Sequence, residues 1–241
     1  MRTFWFYLVL CAPFFATTTI VHARIDYRHC VTTLALTAPP QVLIDSCTSY
    51  LKSNPDAYMR ATALSNRGAA HVRLGQHDLA LADFDAALQV DYDNVQAYQN
   101  RGGAYLSLDQ YENAIKDFDQ AIKLNSRWAL AYKCRCDARA QWGHELDKAL
   151  EDCDKYMRLN PGVAAYATRG FLYLRLGRDS DAIADFDTAL EKNPKLSWSL
   201  YGRGIAKLRR GNAAEGNADI TAANAINAKI AKTFADMGLI P

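Results

Sequence analysis

An arginine stands at position 67 and returns at 101, 135, 169 and 203, five copies at an interval of 34 residues. Its neighbours recur with it: residues 66–70 read NRGAA, and the later copies read NRGGA, CRCDA, TRGFL and GRGIA. A fixed interval of this length marks one supersecondary unit used repeatedly, each copy burying its apolar face only against its neighbours. With the arginine as anchor, the units run 61–94, 95–128, 129–162, 163–196 and 197–230. Each opens with a helix-period stretch such as VQAYQNRGGAYLSL, turns through polar or glycine-containing residues, and continues into a second amphipathic stretch such as NAIKDFDQAIKL. Two helices per unit and no strand pattern predict an all-α fold.

Small residues recur where two helix backbones must approach. First helices carry Gly68, Gly102, Cys136, Gly170 and Gly204; second helices carry Ala80, Ala114, Ala149, Ala182 and Gly216. One turn later comes Phe84, Phe118, Cys153, Phe186 or Ile220, then Ala87, Ala121, Ala189 or Ala223, with Tyr156 in the third unit. Pro161 and Pro194 close two units, where proline stops one helix before the next. The chain therefore resembles the tetratricopeptide repeat family over residues 61–230. Tyr98, Gly102, Tyr105, Ala114, Phe118 and Ala121 carry the likeness in the second unit. Tyr166, Gly170, Tyr173, Gly177, Ala182, Phe186, Ala189 and Pro194 carry it in the fourth. The resemblance implies a right-handed superhelical solenoid of helix-turn-helix repeats with capping helices. The third unit departs most, with one extra residue near 144–146 compensated by a shortened join after Pro161.

The flanks read as caps. QVLIDSCTSYLKSNP aligns with DKALEDCDKYMRLNP, so Gln41–Pro55 is expected to form the second helix of a degenerate half repeat within an N-terminal cap, 24–60. Residues 231–241 are expected to supply a C-terminal capping helix closed by Gly238. Residues 1–23 join a basic start to the apolar run FWFYLVLCAPFFA, with small residues Val21 and Ala23 at peptidase spacing. This predicts an export signal cleaved after Ala23, the alternative being an uncleaved anchor. A periplasmic or secreted location follows from the signal, and a bacterial-type protein from the signal with the resemblance.

In the family, the slot before the helix-contact glycine is usually apolar; here it is arginine throughout. An aspartate follows in each unit: Arg67 with Asp83, Arg101 with Asp117, Arg169 with Asp185 and Arg203 with Asp219, each 16 residues on. Arg135 has Asp152, one residue later because of the insertion. Two readings stand. Framework ion pairs would lay the arginine stem on apolar surface and give its head to the aspartate; an arginine ladder gripping an acidic ligand would leave the aspartates unexplained. Pairing within a unit is favoured because Arg67 has Ser46, not Asp, in the matching slot of the preceding half repeat.

Of six cysteines, Cys11 falls in the leader. A Cys30–Cys47 disulfide would staple the degenerate end, and the resemblance supports it, since exported proteins of this repeat class can carry a cysteine pair before the full repeats. Two unpaired buried thiols are the alternative. Cys136 and Cys153 occupy facing core slots and read equally as packed thiols or a second bridge. Cys134 is left as a thiol facing the groove. A zinc site from Cys134, Cys136, His144 and Cys153 is disfavoured because residues two apart on a helix point about 200° around it. No metal, cofactor or catalytic motif is expected, and no enzyme.

A formal charge of +2 without a basic stripe gives no nucleic-acid footprint, and no second long apolar run calls for membrane insertion after cleavage. By resemblance, the first helices line a concave groove that takes extended peptides or helices. Its candidate residues are Asn66, Arg73, Gln96, Gln99, Asn100, Lys133, Thr168, Phe171, Arg175, Trp198, Tyr201 and Arg209. The family's clamp for acidic chaperone tails is not reproduced: Asn100 fits it, whereas Ser65, Ala69, Leu130 and Cys134 fill its other slots. The expected function is a non-catalytic scaffold binding a protein or peptide in the cell envelope. The alternative is a structural subunit of an envelope or secretion assembly that uses its convex face or caps.

Overall fold

A computed structural model describes Cys30, Val31 and residues 37–241. The expected leader, 1–23, lies outside the described residues. Every regular element among them is helical, and they divide into two compact bodies, the described residues up to Tyr92 and those from Asp93 onward.

The first body contains α1 (Pro40–Lys52), α2 (Ala57–Arg73) and α3 (His77–Val90), packed in order. The helix α1 falls where the second helix of a half repeat is expected, starting one residue before Gln41 and ending at Lys52. The residues Cys30 and Val31 are helical and pack with Leu43, Cys47, Ala63 and Ala70 in one core. Asp56 starts α2 by accepting the Met59 amide at 2.9 Å, which satisfies one of the donors a helix start leaves open.

The second body contains four helix pairs: α4 (Val95–Ser107) with α5 (Tyr111–Leu124), α6 (Ala129–Trp142) with α7 (Leu146–Leu159), α8 (Val163–Arg175) with α9 (Asp179–Lys192), and α10 (Ser197–Arg209) with α11 (Ala213–Ile226). A short helix, α12 (Ile230–Asp236), follows. Each first helix packs on its own second helix, and α6, α8 and α10 also pack on the second helix before them. The insertion in the third repeat is absorbed at the α6–α7 corner, where Gly143 and then Glu145 adopt left-handed backbone, φ 75° and 53°.

In three pairs the close approach is set by glycine against a phenylalanine ring, and in α10–α11 by Gly204 against Ile220 and Gly216. A Cβ added to Gly102 would stand 2.7 Å from Phe118, and one added to Gly68 would stand 2.7 Å from Phe84. The Phe186 ring is held between Gly170 and Gly202, from consecutive first helices. In the third repeat the same slot is spanned by Cys136 and Cys153, whose sulfurs stand at disulfide distance, 2.03 Å. Cys30 and Cys47, likewise at disulfide distance, share that separation of 17 residues and stand in the equivalent slots of the half repeat. Sulfur pairs thus replace the glycine–phenylalanine contact in the half repeat and the irregular one.

Adjacent glycines of α4 provide an internal control. Gly102→Ala forces Cβ into Phe118 and is expected to destabilise the chain by about 1–3 kcal/mol. Gly103→Ala, with nothing within 4 Å of the added carbon, should stabilise it by about 0.5–1 kcal/mol. Urea unfolding of the two variants tests the opposed signs.

Candidate functional site

The recurring arginines lie where first and second helices meet. Each Nε and Nη2 donates to both oxygens of one carboxylate in its own repeat: Arg67 to Asp83, Arg101 to Asp117, Arg135 to Asp152, Arg169 to Asp185 and Arg203 to Asp219, at 2.5–2.9 Å. These aspartates are buried, and the guanidinium forks match them in plane.

The remaining donor, Nη1, reaches backwards. In the second body it bonds the preceding repeat: Arg135 to Asp119 at 2.5 Å, Arg169 to Asp154 at 3.1 Å and Arg203 to Asp187 at 2.6 Å. In the first body, Arg67 gives the same donor to Thr48 Oγ1 at 3.1 Å. Sequence reasoning found the first aspartate and missed the second. The available signal was Asp-x-Asp: Asp117 with Asp119, Asp152 with Asp154 and Asp185 with Asp187. After Asp219 the second slot holds Thr221, and the slot that would hold the next arginine holds Met237. All five guanidiniums are therefore engaged inside the fold rather than held out to a ligand.

A second set of arginines ends the first helices. Arg73 Nη1 donates to the Ala38 carbonyl at 2.9 Å, and Arg209 Nη1 to the Leu174 carbonyl at 3.1 Å. Both bonds span 35 residues; Arg209 thereby caps the last turn of α8, where carbonyls lack helical partners, while Arg73 holds the backbone just before α1. Arg175 occupies the same slot but donates to the Met237 carbonyl at 2.6 Å, 62 residues away. These three groove candidates are committed to backbone, as is Asn66, whose side chain donates to the Cys30 carbonyl at 2.7 Å.

Two aromatic candidates also lie inside. Phe171 and Tyr201 are 4% and 3% exposed, and α12 covers them by bringing Phe234 to 6.1 and 4.8 Å between ring centroids. Gln99 is buried, with its Oε1 unpartnered; Gln96 is exposed and Asn100 half-buried.

The open stretch lies on α6, α8 and α10, a cavity of about 340 Å³ lined by Lys133, Asp137, Gln141, Ala164, Ala167, Thr168, Phe171 and Trp198. It unites the candidates Lys133, Thr168, Phe171 and Trp198. Lys133 Nζ donates to Asp137 at 2.6 Å across one helical turn. Burial drives the Asp137 carboxyl above its ordinary range against the pull of Lys133. Cys134 is half-buried beside it, and burial pushes its thiol up to about 11, so the thiolate is scarce at neutral pH. Among the described residues no group of three or more His, Cys, Asp or Glu could hold a metal ion.

Two titrations test this electrostatics. Burial opposes ionisation of Asp219, but hydrogen bonds and charge from Arg203 and Lys207 outweigh it and hold its carboxyl below the ordinary value. A depressed carboxylate stabilises the fold above the unfolded pKa, about 3.9, and that stability is lost as pH falls through the folded value. Asp219→Asn should therefore be less stable at pH 7 and lose stability less steeply in urea titrations between about pH 5 and 2. Cys134 should react with iodoacetamide at pH 7.5 about two orders of magnitude more slowly than free cysteine, and at the ordinary rate in denaturant.

The model of the tetratricopeptide repeat matches residues 61–94, 95–127 and 163–196. The chain is 34% identical over 83 residues to the TPR repeat-containing thioredoxin TDX of Arabidopsis thaliana, a match covering 34% of this chain and 22% of that protein. In fold it is similar to a tetratricopeptide repeat protein from Parabacteroides merdae, at 19% identity and TM-score 0.69 over 92% of this chain and 88% of the other. It is also similar to YrrB, a TPR protein with an unusual peptide-binding site, at 19% identity and TM-score 0.58 over 81% of this chain and 100% of the other. Matched repeats, helix pairs packed in order and glycine–ring contacts in the expected slots agree: the chain is a tetratricopeptide repeat protein.

Proposed function

We propose that this scaffold binds a peptide or protein segment along the first-helix face of its second body, outside the cytoplasm in the cell envelope. The observation that carries the reading is the cavity between α6, α8 and α10. Small side chains, Ala164 and Ala167, leave backbone-sized room there, Thr168 and Gln141 offer hydrogen bonds, and Phe171 and Trp198 offer an apolar wall. YrrB, whose fold is similar, has a peptide-binding site, which favours the same use of this fold. Catalysis has no part in the proposal. The envelope location is supported by the leader pattern of residues 1–23 and by two cysteine pairs at disulfide distance, which persist in oxidising compartments. No described helix is long and apolar enough to cross a membrane.

Ala164 is exposed at the cavity, so Ala164→Trp fills the groove without disturbing the core. Affinity capture from envelope extract with the intact chain should retain a partner that the variant loses by about tenfold or more, with an unchanged thermal melt. Equal capture by both chains would refute groove binding and favour assembly through another surface.

A further inference from the structure

The helix α12 lies on the face where a ligand is expected. Phe234, fully buried, sits 4.7 Å from Trp198 and 4.8 Å from Tyr201 of α10, and 6.1 Å from Phe171 of α8, between ring centroids. Ile230, four residues earlier and therefore on the same helix face, is 2% exposed. Gly238 then turns the chain in left-handed backbone, φ 72°, and the Leu239 amide returns to the Phe234 carbonyl at 2.9 Å, burying Leu239 against the same cluster. Arg175 closes the contact by donating to the Met237 carbonyl.

The departure of Arg175 from its equivalents is informative. Arg73 and Arg209 give this donor to a carbonyl 35 residues back, a slot that for Arg175 is Ala140. Arg175 instead holds the tail, and its other terminal nitrogen stands 3.0 Å from where a Cβ on Gly143 would lie, beside that same helix end. The tail's outer face carries the polar side chains Lys232, Thr233 and Asp236, with Ala235 exposed beside them. A seven-residue helix has no stability of its own and persists only by docking. The open cavity shares two walls, Phe171 and Trp198, with the docked tail.

We infer that residues 230–239 are an exchangeable, built-in occupant of the first-helix face. The partner this face accepts is then a short amphipathic helix presenting an aromatic residue four positions after an aliphatic one, as Phe234 follows Ile230. The inference rests on the groove reading above and adds the ligand's chemistry and the competitor that ligand must displace.

The test uses the intact chain carrying Phe234→Ala and a fluorescein-labelled peptide of residues 229–241, followed by anisotropy. The variant should keep a cooperative melt and bind the peptide at least about tenfold more tightly than the unsubstituted chain, whose own tail competes at high effective concentration. A peptide carrying Phe234→Ala should not bind. In the unsubstituted chain, amides of residues 233–239 should exchange by local opening, at least about 100-fold faster than those of α10. A folded variant that takes no peptide, a variant that loses its cooperative melt, or tail amides that exchange only with global unfolding would overturn the inference. No partner enters this measurement, so its failure is separable from a failure of the Ala164→Trp capture.

Discussion

One guanidinium bound on two sides joins consecutive repeats of the second body. Its Nε and Nη2 close a carboxylate fork inside the repeat, and Nη1 fastens to the aspartate two residues beyond the fork of the repeat before. A buried aspartate is tolerable only when its charge is met and both oxygens are satisfied, which the fork does in one plane. The geometry also fixes register, because sliding one helix pair by a turn would break both contacts. In the third repeat Arg139 joins Arg135 on Asp152, as Lys207 joins Arg203 on Asp219 in the fifth.

Around this ionic seam the apolar contacts vary. Four repeats set their helix separation with glycine against Phe84, Phe118, Phe186 or Ile220, and the third uses a sulfur pair in the same slot. The half repeat does likewise with Cys30 and Cys47. A slot that holds either a ring against glycine or two sulfurs is constrained by distance rather than by residue type. The seam leaves the other side of the first helices to side chains that differ from repeat to repeat, and there the cavity and the docked tail are found.

Much of this was legible in the sequence because periodic signals are local. The helix pairs, the half repeat at α1, the insertion at the α6–α7 corner and the arginine–aspartate spacing all follow from one 34-residue comparison. The backward bond to Asp119, Asp154 or Asp187 was visible as Asp-x-Asp, yet spacing alone does not say which repeat an aspartate faces. The groove was legible only as a list of positions on one helix face. Nothing periodic announces that Met237 lies against Arg175 or Phe234 against Phe171, so residues expected to be open, Phe171 and Tyr201, are buried by the chain itself. Arg73, Arg175 and Arg209 occupy ligand-facing positions but cap or clasp backbone carbonyls, a role that a helical wheel does not distinguish from waiting for a partner.

The claim that one arginine serves two repeats is tested most directly by paired double-mutant cycles on Arg169, in urea at neutral pH. The account predicts coupling of about 1–3 kcal/mol with Asp185 and a smaller coupling of about 0.5–1 kcal/mol with the more exposed Asp154. Asp187, which pairs with Arg203, should be additive with Arg169. Additivity of Arg169 with both Asp185 and Asp154 would contradict it and leave the junction to apolar packing alone.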